Sequence, residues 1–393
     1  MAQCQAAAQE IQPEAVQREG RSTKLTLDGL GVRKVRETPH GVEVLSLRDN
    51  RLKALGAIAG CSSLRELCLA GNRLDEAALQ PLAALPALVS LDISRNLLRS
   101  LQPLFPAEAA GAGEAFPRLE ELDVSSNAAL ASAAPAFSAR RLRVYTAAGL
   151  SITSVHCRLC PSLEVLDFRS CCLHSVDLAL LPNLREFLLD GNALLSCRGL
   201  DAHPRLQDLR LAHNALEELG PLQLPSLAGL DLAGNRLQGL PDLGGCSLGS
   251  LSSLCLRGNL IRSLSPAASL RGLTFLDASQ NQLEGLEPAL GSMLGQLQVL
   301  ILSGNQIELA EGVTAALEGA GRSRLEHLDL RDNPLNLAFY PSQELLPPWT
   351  WDANRTLSDL EKAGPARLDR QTQAARHQYR NRLSALCPRL LSL

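Results

Sequence analysis

The sequence predicts an α/β solenoid. It would be a curved horseshoe with a parallel sheet on its concave side, short 3₁₀ or extended segments on its convex side and a helical C-terminal cap. Three observations carry that prediction. One phrase, L-x-x-L-x-L-x-x-N-x-L, recurs along almost all of the 393 residues: LRELCLAGNRL from Leu64 to Leu74, LREFLLDGNAL from Leu184 to Leu194, LEHLDLRDNPL from Leu325 to Leu335. Most copies stand 20 to 24 residues apart, a period that specifies stacked units rather than a globule. Aromatic residues make up only 3% of the chain, which suits a narrow interior filled by leucine.

The elements follow in chain order. Residues 1–21 read as a short flexible N-terminal segment. They lack the basic start and apolar stretch of a secretory signal. Residues 22–335 hold about fourteen units. In each, the central L-x-L is a strand whose leucines point inward and which pairs in parallel with the next, about 4.8 Å away. Fourteen strands would span roughly 65 Å of arc. The Asn sits where the chain turns inward. Its amide carries a donor and an acceptor, so it can satisfy backbone groups buried between units. Asn50, Asn72, Asn96, Asn127, Asn192, Asn214, Asn235, Asn259, Asn281, Asn305 and Asn333 take that slot. Cys171 takes it in LEVLDFRSCCL, and Leu30 and Leu150 take it in two degenerate units. A leucine cannot form the ladder, so an irregular stretch is expected from Val144 to Cys172. The insertion at 103–117, PLFPAEAAGAGEAFP, lengthens one unit to 31 residues and reads as a loosely packed loop. Residues 336–393 form the cap, with apolar residues at helical spacing from Ser358 to Leu383. Such a cap covers an open sheet edge.

Bulk properties narrow the function. Net charge is −3, with no basic field to attract nucleic acid. No apolar run is long enough for a transmembrane helix. The eleven cysteines are scattered singly, which favours a reduced, cytoplasmic setting. No phosphate-binding loop, nucleophile elbow or H-E-x-x-H is present, so neither an enzyme nor a cofactor is expected. His156, Cys157, Cys160, Cys171, Cys172 and His174 have spacing suited to zinc. However, Cys160 aligns with a leucine slot and Cys171 with the ladder, so no metal site is expected.

The candidate site is the outward face of the strands, where alternation places every second side chain. One column carries Asp92, Asp123, Asp167, Asp231, Asp277 and Asp329, and two residues later come Arg48, Arg169, Arg257 and Arg331. This mixed stripe is the expected surface for a protein partner. Reversing Asp231 and Asp277 is expected to weaken the partner without unfolding the chain. His213 and His327 are expected on the same face. Five arginines of the cap, Arg367, Arg370, Arg376, Arg380 and Arg382, with Trp349, Trp351 and Tyr379, form a second candidate surface.

The phrases resemble the leucine-rich repeat of intracellular proteins, including a regulatory subunit of protein phosphatase. A more specific likeness runs from about residue 142 to the end. LCPSLEVLDFRSCCLHSVD and the repeats after it, LDLRDNPLNLAFYP from Leu328 to Pro341, and RLDRQTQAARHQYRNRLSALCPRLLSL are similar to the fungal spindle-pole-body scaffold of the septation initiation and mitotic exit networks. The resemblance implies a non-enzymatic scaffold docked to a spindle-pole anchor, gathering a small GTPase, its GAP and kinases. The alternatives are a regulatory subunit holding a phosphatase catalytic subunit, or a structural adaptor of cilia and microtubule assemblies.

Overall fold

The computed structural model describes residues 16–19, 22–35, 41–105, 116–130, 140–157, 160–178, 181–196, 203–220, 222–241, 248–321, 323–337 and 370–391. The chain divides into two compact units. The first is Met1–Leu194 with Ala202–Leu206, and the second is Leu195–Asp201 with Gln207–Leu393.

In the first unit, eight short strands from Ser22–Thr26 to Glu186–Leu188 lie side by side in parallel. Their register is in step, with Leu45 opposite both Leu25 and Leu67. The row continues inward as Leu91, Leu122, Tyr145, Leu166 and Phe187, all buried. In the second unit, six strands from Asp208–Arg210 to His327–Asp329 repeat the plan around Leu209, Leu230, Leu254, Leu276, Leu300 and Leu328. Each unit is therefore a stack of solenoid turns, as the periodicity predicts.

The asparagine ladder locks turn to turn. The Asn72 amide nitrogen donates to the carbonyls of Leu47 and Leu69, both at 2.9 Å, and its oxygen accepts from the Leu52 N–H at 3.0 Å. Asn259 does the same with Leu232, Leu256 and Leu237, at 2.9, 2.9 and 3.0 Å. One buried side chain thus satisfies three backbone groups drawn from two turns, and burying any of them without a partner would be costly.

A second constant accompanies the ladder. The residue before every ladder position is left-handed, with φ between 52° and 70°, from Gly29 and Asp49 through Gly304 and Asp332. This backbone reversal turns the chain out of the strand and aims the next side chain inward. Glycine suits it, yet Asp49, Arg95, Ser126, Ser170, His213, Gln280 and Asp332 also adopt it.

Several sequence expectations change. Val16–Glu19, placed in the flexible segment, is a strand antiparallel to Ser22–Thr26, and it covers the open edge of the first unit. Leu30 does not fill an inward slot: it is 50% exposed, because no earlier parallel turn closes over it. Leu150, 2% exposed, does fill its slot. The sheet passes the Leu150 turn unbroken, since Val144–Thr146 keeps register with both neighbours. Backbone pairing does not need the missing amide. Within the stretch expected to be irregular, Ser154–Cys157 pairs instead in parallel with Ser175–Leu178, making a second small sheet.

The segments that return from one strand to the next are 3₁₀ at Gly56–Gly60, Glu76–Ala84 and Ser265–Ser269, as expected. Ala310–Gly319, however, is a ten-residue α-helix. Its turn runs 28 residues from Asn305 to Asn333, and the added length makes room for the helix. The cap helix is Arg370–Leu386, and residues 358–369 of the expected span lie outside the described residues. Leu383 and Cys387 are buried, and Arg382 pairs with Glu318 at 2.7 Å. Residues 106–115 of the insertion also lie outside the described residues. The flanking Leu104 and Phe116 are both buried.

Candidate functional site

The strand face carries the ten residues singled out from sequence, but most of their chemistry is turned inward. In each acidic residue, one carboxylate oxygen accepts the backbone N–H two residues on. Ser94 donates to Asp92 at 3.0 Å, Ser125 to Asp123 at 2.8 Å, and Arg169 to Asp167 at 3.0 Å. Ala233 donates to Asp231 at 3.0 Å, Ser279 to Asp277 at 2.9 Å, and Arg331 to Asp329 at 3.1 Å. Each Asp therefore closes a local turn that leads the chain out of the strand. That is why the residue recurs. The acidic column of the expected partner stripe is therefore only partly open: Asp167 is 3% exposed, and the other five are half-buried. Reversing Asp231 and Asp277 would remove two turn caps as well as two surface charges, so it tests folding and binding together.

The arginines divide in two. Arg169 and Arg331 fold back onto the carboxylates two residues earlier. Arg169 reaches Asp167 at 2.7 and 3.0 Å, and Arg331 reaches Asp329 at 2.6 and 2.7 Å. Arg48 lies 3.5 Å from Asp49, and Arg257 donates to Gln280 at 3.3 Å, leaving both half-exposed or more.

These arrangements move the carboxyls in opposite directions. Burial pushes Asp123 up from its ordinary value; its Ser125 bonds oppose this, and the charges of Asp92 and Asp167 add to it. Burial would also raise Asp329, but Arg331 outweighs it and holds that carboxyl below its ordinary value. Cys68 and Cys255 occupy the aspartate column. Burial pushes both thiols to about 11, so both are protonated at neutral pH. Cys171 sits fully buried in the ladder, its thiol donating to the Ala147 carbonyl at 3.0 Å, while Cys160 is buried in its leucine slot. Among the described residues no cluster of ligands suited to a metal ion forms.

Sequence reasoning passed over the first column of the strands. In the second unit it brings Phe275 beside Val299, with Ile301 on the strand of Val299, all half-exposed. In the first unit the same column holds Glu66, Ser90 and Glu121, with the Ser90 hydroxyl donating to Glu121 at 3.0 Å. One residue earlier, Arg143 bridges Glu120 at 3.5 Å and Glu164 at 2.8 Å, and Arg185 lies 3.9 Å from Glu164. The signal was available in the register: once the leucines align, so does every residue between them. His327 lies on the strand face as expected, but His213 sits at the left-handed position before Asn214. Arg367, Trp349 and Trp351 lie outside the described residues.

No family model matches the chain. The fold matches a leucine-rich repeat protein of Leptospira interrogans, with a TM-score of 0.65 and 22% identity over 93% of this chain and 82% of that one. The chain has the leucine-rich repeat fold. The leucine-rich repeat domain of APL1B is similar at a TM-score of 0.57 and 19% identity, covering 75% of this chain and 86% of that one. FLRT2, seen in an octameric complex with latrophilin 3 and Unc5D, is similar at 0.53 and 20%, covering 77% and 91%. In sequence, podocan-like protein 1 of Homo sapiens is 31% identical over 221 residues, which is 52% of this chain and 41% of that protein. Podocan of Mus musculus is 41% identical over 103 residues, 25% and 15% of the two chains. The chain thus spans less than half the length of the curated relatives it matches. Within the described residues no helix is long and apolar enough to cross a membrane.

Proposed function

We propose that this chain is a non-enzymatic scaffold that holds a protein partner on its strand face. The observation that carries the reading is the set of Phe275, Val299 and Ile301. These three apolar side chains stand half-exposed on two adjacent strands whose backbone groups are already satisfied. Half-exposed apolar groups on a rigid frame bury readily against a partner at small entropic cost. The aspartates of the stripe set the frame, and the residues between them make the contact. The leucine-rich repeat chain FLRT2, found within a multiprotein complex, is a parallel for the same fold.

The finer assignment is to a cell-division assembly at the spindle pole, in the cytoplasm, with a pole anchor or a GTPase, GAP and kinase as partners. Its support is the phrase from Leu328 to Pro341 and the cap that follows. The test is quantitative affinity capture from dividing cells, comparing the parent chain with Phe275→Glu. A spindle-pole set captured by the parent and lost in the variant, with an unchanged melting temperature, is the expected result. Capture that the variant leaves intact would move the contact off the strand face. A phosphatase catalytic subunit or ciliary proteins in place of pole components would overturn the spindle-pole assignment.

A further inference from the structure

We propose that the edge following the strands in the first four turns is a second docking surface, built for an extended acidic protein segment bearing an apolar residue. This goes beyond the strand-face reading and does not depend on it.

The geometry comes from the ladder. In the first four turns the three residues after each ladder position lie outside helix and strand. The second of these is held inward, because its N–H donates to the ladder asparagine of the next turn: Val32 to Asn50, Leu52 to Asn72, Leu74 to Asn96, at 2.9, 3.0 and 3.0 Å. The first and third must therefore face out. The first positions are Arg51, Arg73 and Leu97. Their N–H groups bond to the preceding turn at Val32, Leu52 and Leu74, each at 2.9 Å, so they stack one turn apart. The third positions are Arg33, Lys53, Asp75 and Arg99, all exposed. Five cations, one leucine and Asp75 thus form two short parallel columns, with neighbouring turns about 4.8 Å apart.

Three of the acids nearby are already engaged. Asp28 accepts from the Ser46 hydroxyl and the Arg48 N–H. Asp49 is shared between Arg48 and Arg95, at 3.5 and 3.0 Å. Asp75 caps the 3₁₀ helix by accepting from Ala78 at 3.1 Å. Glu76 is partly buried in the first turn of that helix. Arg33, Arg51, Lys53, Arg73 and Arg99 have no ion-pair partner among the described residues, whereas Arg143, Arg169, Arg210 and Arg331 do.

Charge complementarity selects an anionic occupant, and Leu97 narrows its chemistry. Leu97 is 58% exposed and continues the Arg51–Arg73 column. A sulfated polysaccharide offers it nothing apolar, and a nucleic-acid strand would call for stacking aromatics that these columns lack. An extended acidic peptide can set carboxylates against the arginines and an aliphatic side chain against Leu97.

The test is fluorescence anisotropy on the full chain with two labelled peptides, one all-glutamate and one with a leucine after its glutamates. The leucine-bearing peptide should bind more tightly, and both should weaken as salt rises. Arg51→Glu with Arg73→Glu should lower affinity roughly tenfold or more, since attraction becomes repulsion. Leu97→Ser should erase the difference between the peptides. Arg33→Gln with Lys53→Gln gives a milder variant should the reversal disturb folding. Phe275→Glu should leave peptide binding unchanged, which separates this surface from the strand face. Binding that is absent, or unaltered by the arginine variants, overturns the proposal. So does a heparin octasaccharide or single-stranded DNA that binds more tightly than the peptide and ignores Leu97→Ser.

Discussion

The edge that is cationic in the first four turns is mixed, with an excess of acids, in the second unit. The third position after the ladder residue is Arg33, Lys53, Asp75 and Arg99 in the first four turns, but Glu217, Gln238, Arg262, Glu284 and Glu308 in the second unit. The frames beneath them match: Asn72 and Asn259 make the same bonds at the same lengths. The comparison teaches that the repeat fixes where side chains point and leaves their chemistry open. Two units built alike can therefore present differently charged surfaces.

The largest expected effect tests whether the frames are as alike as they look. Asn96→Ala and Asn259→Ala should each cost roughly 1–3 kcal/mol in chemical denaturation, since both leave buried backbone groups unpaired. A loss in one unit only would break the equivalence. Next come the left-handed glycines. Gly71→Ala should destabilise by about 1–2 kcal/mol from backbone strain alone, and by more because a methyl group there runs into the Asp49 carboxylate. Gly258→Ala shares the strain, but the nearest atoms lie 3.7 Å away, so its cost should be smaller. Equal melting shifts would mean that Asp49 moves aside freely.

Titration should divide the units by sign. Asp123 is raised in the folded state, so it favours folding only while protonated, and that stability fades as pH climbs through its folded value. Asp123→Asn should therefore lose less stability than the parent between acid and neutral pH. Asp329 is lowered, so its stability is present above its ordinary value of 3.8 and is lost as pH falls through its folded value. Asp329→Asn should be weaker than the parent at neutral pH, with the gap closing in acid. Parallel curves for both variants would show that neither carboxyl is perturbed as its surroundings imply.

The smallest effect on stability sharpens the contrast of the edges. Glu217→Lys with Glu284→Lys should change stability by less than about 0.5 kcal/mol, as exposed substitutions do, yet should give the second unit a measurable affinity for the acidic peptides. Unchanged affinity would show that charge alone does not make the surface.

Much of this molecule was legible before its structure. Leucine spacing gave the strands and their register, and the recurring Asn gave the ladder. The left-handed position went unread, although Gly stands there at Gly71 and Gly258; at Arg95 and Gln280 the side chains carry no such preference. The site was less legible. An aspartate reads alike whether solvated or bonded to a backbone N–H two residues on, and Asp92 to Asp329 turned out to be the latter.

By itself the sequence determined the periodic frame, because burial of leucine and satisfaction of the turn backbone are demands that neighbouring repeats meet with the same recurring residues. Tertiary structure alone decided which charges remain available. Asp49 meets Arg95, and Glu164 meets Arg143, only because stacking brings together residues 46 and 21 apart in the chain. Pairing at a few ångströms is set by that stacking, and it separates the cations held within the fold from those left to face a partner.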